Sequence, residues 1–303
     1  MPRTALKQYY KTMTIPCYPD FTPMARELKP EMHPHLSLTP DGVSEYTFSN
    51  LYLFRNRYTY RVSRLPNQAL VLSGERDGKQ FFMTPCASPG RDITEDLFRT
   101  HDYWKGIPES LVQANRADWD AWGIEIAEDR DNFDYLYLRT DLAELAGKKY
   151  HKKRNLVHAF TNAYSHSEAA FSERHIPDAM AVLERWRQDK GSDGDYAATR
   201  EALDLFGTLK LKGVIYYVDG NPVGWCLGES LARGRMFAIH FEKAIDEYKG
   251  IYQFMNQAFA ARLPGYYTYI NREQDLGDEG LRQAKMTYRP AGFVRKYIGK
   301  KTS

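Results

Sequence analysis

The segment 270–293, INREQDLGDEGLRQAKMTYRPAGF, gathers the residues of this chain best suited to chemistry. An apolar, strand-like run ends in Asn271, Arg272, Glu273 and Asp275. After a glycine, a short helix carries Arg282, Lys285 and Arg289 at steps of three and four. Those steps set three cations on one side of a helix. An acidic turn beside a basic helix makes a pocket for an anionic or amine-bearing ligand. An amine can react or be held only where a carboxylate takes its proton or pairs with its charge. Glu273, leaving the strand into the turn, is the first choice for general base or acceptor anchor; pairing with Arg272 or Lys285 is its structural alternative. Asp275 and Arg272 suit substrate contacts from the turn, although Asp275, just before Leu276-Gly277, suits equally a cap of the following helix. Asn271 suits either a positioning hydrogen bond or the satisfaction of backbone at the strand end. Lys285, with Arg282 and Arg289, suits a phosphate or terminal carboxylate, Arg as a planar fork and Lys as a point charge. A solvated helix face is the bland alternative, although the stripe Leu281, Ala284 and Tyr288 holds the helix down. Tyr288 reads as a proton donor to a leaving group or as a core phenol.

Two further groups join this set. In MFAIHFEKA (236–244), His240 and Glu242 share one face of a strand, because residues two apart point the same way. They form a catalytic or substrate-recognising pair unless His240 is simply a satisfied core histidine. In GKKYHKKR (147–154), Lys152, Lys153 and Arg154 stand with Lys148 and Lys149. This local basic patch suits a phosphate backbone or a solvated junction. The net charge of +3 is too small to imply nucleic acid by itself.

The elements that position these residues follow from pattern. With 303 residues, the chain suits two domains of about 150. Hydrophobic content of 43% argues for real cores. No apolar run approaches the roughly 18–20 residues of a membrane helix, and the N-terminal stretch has no apolar leader. Cys17, Cys86 and Cys226 have no metal spacing; Cys86 and Cys226 read as buried in strands, in a reducing cytoplasm. His33 and His35 lie in a Pro-rich lead-in, and no metal site is expected. That lead-in spans residues 1–45 with at most one short helix. Residues 46–54 alternate like a strand, hairpins turn at Asp77-Gly78 and Asp219-Gly220, and helices are expected near 111, over 147–164, from Ile176, from Ile251 and over 279–288. Strands are expected at 135–138, 236–241 and 266–270.

Two internal matches suggest duplication: Asp77-Gly78 with Asp219-Gly220, and YLYLRTDLAELAGKK (135–149) with YTYINREQDLGDEGLRQAK (267–285). The expectation is an α+β chain: the lead-in, a first unit over 46–168 and a second over 169–303 carrying the site. Each is a mixed, mostly antiparallel sheet flanked by helices. This order resembles the Gcn5-related N-acetyltransferase fold in tandem.

LAGKKYHKKRNLVHAF (145–160), HFEKA (240–244) and INREQDLGDEGLRQAKMTYRP (270–290) together resemble the bacterial family similar to the C-terminal domain of phosphatidylglycerol lysyltransferase. That family is related to Fem-type aminoacyltransferases, which use paired acetyltransferase-like domains. The resemblance implies acyl or aminoacyl transfer to an amine or hydroxyl on a small, lipid-like or peptide acceptor, with aminoacyl-tRNA as one donor. The membrane-spanning part of true lysyltransferases has no counterpart here, which speaks against phosphatidylglycerol as the acceptor. In acetyltransferases the strand-to-helix turn, here Tyr248-Lys249-Gly250, receives the donor pyrophosphate on backbone N–H groups. Only Gly250 of the usual glycine signature is present, which weighs against acyl-CoA as donor. It also leaves open a degenerate module that binds an anionic or aminoacyl ligand without catalysis.

Overall fold

The computed structural model describes residues 14–302; the first residues of the expected lead-in, and the leader reading that rests on them, lie outside that range. The strands of the first half are β1 (Thr22–Pro23), β2 (Arg61–Arg64), β3 (Leu70–Arg76), β4 (Lys79–Met83), β5 (Tyr103–Pro108), β6 (Ile124–Glu128) and β7 (Asp134–Leu138). Those of the second are β8 (His166–Ala170), β9 (Lys212–Val218), β10 (Asn221–Leu231), β11 (Met236–Ala244), β12 (Tyr269–Asn271), β13 (Gly292–Val294) and β14 (Lys296–Lys301). They form two sheets, ordered β1-β2-β3-β4-β5-β14-β6 and β13-β7-β12-β11-β10-β9-β8.

Each sheet is antiparallel except for one parallel pair, β4–β5 in the first and β11–β12 in the second. A parallel pair needs a crossover, and helices Arg91–Phe98 and Ile251–Arg262 supply one each. From the first strand of that pair onward the two halves share one order of strand, helix, strand, helix, strand and strand. The last strand of each half then leaves its own sheet. β7 inserts between β12 and β13, and β14 between β5 and β6. A cut at 168/169 therefore separates β7 and β14 from the sheets they pair in.

The duplication is present, but in another register from the sequence matches. The Asp77-Gly78 turn joins β3 to β4, which precede the parallel crossover, whereas Asp219-Gly220 joins β9 to β10, one hairpin earlier. Both turns have positive φ at both central residues, the geometry that fits strand twist. The matched segments 135–138 and 267–271 are neighbours in one sheet, with Tyr137 opposite Ile270. Tyr-x-Tyr recurs there because both strands are buried in the same sheet.

Alternation distributes the cores. On β9, Val214, Tyr216 and Val218 enter the layer beneath helices His151–Ala163 and Ile251–Arg262, while Ile215 enters the opposite one. That opposite core is shared. Leu70, Leu72, Phe81 and Met83 of the first sheet join Trp225, Leu227 and Phe241 of the second, with helices Ile176–Lys190 and Tyr196–Asp204 packed in.

Two local expectations change. Residues 46–54 are not a strand: Phe48–Leu53 is a helix capped by Thr47, whose hydroxyl accepts from Asn50 N at 3.0 Å. All six of its residues are buried, so the aromatic alternation carried no inside/outside signal. Cys226 is buried as expected, but Cys86 lies beyond the end of β4 and is exposed.

Candidate functional site between the two sheets

The parallel pairing of β11 with β12 lasts only three residues, Met236–Ala238 against Tyr269–Asn271. Beyond it β11 continues to Ala244, while the other chain turns away at Arg272. The gap between diverging parallel strands is where an α/β sheet presents side chains to a ligand. Here it opens into a cleft of about 790 Å3 that both halves line, Tyr58, Tyr60 and Lys105 from one side and His240, Glu242 and Glu273 from the other.

His240 and Glu273 meet across this gap. His240 Nδ1 lies 2.7 Å from Glu273 Oε1, and Nε2 lies 3.0 Å from Glu229 Oε1 on the neighbouring β10. Burial alone would push the imidazole pKa down, but hydrogen bonds and charge from both carboxylates raise it to about 10. Near neutrality His240 is an imidazolium donating through both nitrogens. Against its own burial, Glu229 is held below the usual carboxylate range by that imidazolium. Both ring nitrogens face carboxylates, so the ring fixes the orientation of the Glu273 carboxylate. Asn50 Nδ2 donates to the same Oε1 at 3.3 Å, so among the described residues Oε2 accepts no hydrogen bond.

The turn that carries Glu273 is strained and heavily braced. Glu273 has φ 57 and Leu276 φ 53, the left-handed region that side chains other than glycine rarely adopt. Lys285 reaches in from helix Glu279–Met286 and donates to the carbonyls of Arg272, Glu273 (3.1 Å) and Gln274 (2.8 Å). Burial, and then the Arg272 charge, lowers its pKa to about 8. Asn271 accepts from Glu273 N at 2.7 Å and donates to Asp134 at 3.1 Å. Asp134 in turn holds Lys296 at 2.7 Å, and Lys296 also binds Glu45. Asp134 and Lys296 are the first residues of β7 and β14, so this buried pair ties the exchanged strands together behind the turn.

Asp275 braces the far side and is not the helix cap expected of it. Its oxygens accept from Arg282 (2.8 and 2.9 Å), Arg130 (3.2 Å) and Tyr135 (2.5 Å). Burial pushes its carboxyl up, yet the Arg282 and Tyr135 hydrogen bonds hold it well below the usual carboxylate range. The cap is Asp278, which accepts from Leu281 N at 2.8 Å. The expected row of three cations is thus divided: Arg282 grips Asp275, Lys285 grips backbone, and Arg289 is exposed past the helix end.

Arg272 and Glu242 form a second pair across the gap, at 2.9 Å. Asn256 of helix Ile251–Arg262 also presents its amide oxygen to the guanidinium once the amide is oriented to satisfy both partners. Tyr288 lies in the cleft wall with Lys153 3.9 Å and Arg272 5.4 Å from its ring centroid. Burial pushes its phenol up to about 12, so it stays protonated.

The expected donor-binding residues scatter. Lys153 reaches the cleft, Lys152 is exposed, and Arg154 donates to the carbonyls of Leu145 and Gly147. Tyr248 packs against Tyr164 outside the cleft. Gly250 has φ 88, and a Cβ there would stand 2.2 Å from the Leu156 carbonyl, so the glycine answers to packing with helix His151–Ala163.

Sequence reading missed Glu45, Asn50, Lys105, Asp134, Glu229 and Lys296. The available signal was a lone charge inside an apolar strand, as in YWKGIP (103–108) and NPVGWCLGESL (221–231). Among the described residues no group of three His, Cys, Asp or Glu is arranged for a metal, and no helix is long and apolar enough to cross a membrane.

The fold is a tandem acetyltransferase-like one in which the two units exchange strands. Residues 37–299 match the family model described as phosphatidylglycerol lysyltransferase, C-terminal, and the chain belongs to that family. An uncharacterized protein of Mycoplasmoides gallisepticum is 26% identical over 221 residues, covering 66% of this chain and 70% of that protein. A conserved protein of unknown function from Bacteroides thetaiotaomicron has a solved structure that is 28% identical, with a TM-score of 0.83 and coverage of 93% of this chain and 99% of that one. The same fold occurs in the C-terminal domain of a putative lysylphosphatidylglycerol synthetase from Agrobacterium fabrum (12% identity, TM-score 0.63, 92% and 93% covered). It occurs also in FemX (8%, 0.59, 93% and 97%).

Proposed function

We propose that this chain transfers an aminoacyl group from aminoacyl-tRNA to an amine or hydroxyl acceptor bound in the cleft, with Glu273 at the reacting centre. The observation that carries this reading is the Glu229–His240–Glu273 bracket, which fixes one oxygen of Glu273 and, among the described residues, leaves the other without a hydrogen bond on a residue that lines the cleft. The acceptor N–H or O–H donates to Glu273 Oε2 while its heavy atom attacks the ester carbonyl of the donor. A C–N or C–O bond forms, the ester C–O bond breaks, and the proton passes through Glu273 to the departing ribose oxygen. The imidazolium of His240 steadies the carboxylate throughout and does not itself change protonation.

Family membership supports aminoacyl transfer over other chemistry. The choice of aminoacyl-tRNA over acyl-CoA is supported by the strand-to-helix turn at Gly250, which helix His151–Ala163 covers. Lys152 and Lys148, exposed on that side, offer charge to a phosphate backbone.

The test is transfer of label from charged tRNA to a panel of amines, hydroxy compounds and phosphatidylglycerol vesicles. Glu273→Gln is expected to lose about 100-fold or more in rate while remaining folded at the assay temperature, as circular dichroism will show. Equal rates for the variant and the wild type would refute the assignment.

A further inference from the structure

The first half has its own point of divergence. Parallel pairing of β4 with β5 ends at Phe82 opposite Trp104, and the next residue is Lys105. Lys105 is 3% exposed, and among the described residues its ammonium has no hydrogen bond and no ion pair. It sits 4.7 Å from the centroid of the Tyr58 ring and 5.0 Å from that of Phe81. The carboxylate whose charge acts on it most, Glu45, is already engaged by Lys296. Lys105 also lines two cavities at once, the main cleft and a second one of about 350 Å3 with Arg76, Lys79 and Lys300 in its walls. A buried cation without a partner is costly, and an anion bound beside it would remove that cost.

We propose that Lys105 is the receptor for an oxyanion, phosphate or carboxylate, carried by the acceptor, so that the acceptor is an anionic small molecule. The proposal rests on the transfer reading for the word acceptor, but the binding it describes stands without any turnover. One enclosed ammonium reads one anion; a polynucleotide backbone is gripped by rows of exposed cations, and those lie across the cleft on helix His151–Ala163. The anion therefore enters on the first-half wall, opposite Glu273, and the rest of the acceptor spans the cleft towards it.

The experiment is thermal unfolding and calorimetric titration of the full chain with inorganic phosphate and with acetate, glycerol serving as the neutral control. Wild type and Glu273→Gln are expected to bind at least one anion and to melt higher in its presence. Lys105→Met is expected to weaken that binding about ten- to hundredfold. Without added anion it is expected to melt above wild type, because an unpaired buried charge has been removed. A response to phosphate alone points to a phosphorylated acceptor, a response to acetate alone to a carboxylated one, and both support the subsite. No saturable binding to wild type, binding unaltered in Lys105→Met, or a Lys105→Met protein less stable than wild type without anion would each overturn it. If transfer assays fail while anion binding still depends on Lys105, the transfer reading falls and the subsite remains.

Discussion

Arg272 and Lys105 occupy matching places in the two halves, each the first residue after its strand leaves the parallel pair, yet their surroundings are opposite. Arg272 is saturated by Glu242, by Asn256 and by the face of Tyr288. Lys105 has only the faces of Tyr58 and Phe81. One divergence point has become a finished scaffold that carries Glu273, and the other keeps an incomplete charge. A duplicated fold thus offers two sites of equal topology, and what separates them is whether the cation was given a protein partner.

Breaking the saturated side should have the largest effect. Arg272→Met strands Glu242 without its cation and is expected to destabilise the fold by about 3 kcal/mol or more, read from denaturant unfolding. The same change on the open side, Lys105→Met, should have the opposite sign, a gain of about 1 kcal/mol in the absence of anion. Opposite signs for two Lys/Arg→Met changes at matching positions would sharpen the contrast; equal losses would erase it.

The His240 bracket gives a pH signature. Its folded pKa of about 10 lies above the 6.5 of a free imidazole. This stabilisation is therefore complete below pH 6.5 and is lost as pH rises towards 10, on the order of a few kcal/mol. His240→Gln should remove most of that alkaline slope, which unfolding midpoints measured from pH 6 to 10 will show. The smallest change is expected at the rim. Lys153→Ala loses a contact with the Tyr288 ring worth about 0.5–1 kcal/mol and should lower the melting temperature only slightly.

Much of the second half was legible because its elements are local. The turn at 271–275, the helix that follows and the facing pair His240 and Glu242 could be read from period and spacing alone. Strand exchange could not. Whether β7 pairs beside β6 or crosses to the other sheet depends on partners more than a hundred residues away, such as Lys296 for Asp134. For the same reason a lone charge in an apolar strand, Lys105 or Glu229, gave no indication of its role. Glu229 finds His240 on the adjacent strand, and Lys105 finds no protein partner. Asp275 was misassigned because a helix cap is a local rule, whereas Arg130 and Tyr135 reach it from the first half.

The measurement that bears most directly on the centre is nitrogen NMR of the His240 ring across pH 6 to 10. An imidazolium with both ring protons retained well above pH 8 is the expected result, because Glu229 and Glu273 bracket the ring. A neutral ring titrating near 6.5 would mean that the bracket is absent in solution and that Glu273 is not held as described.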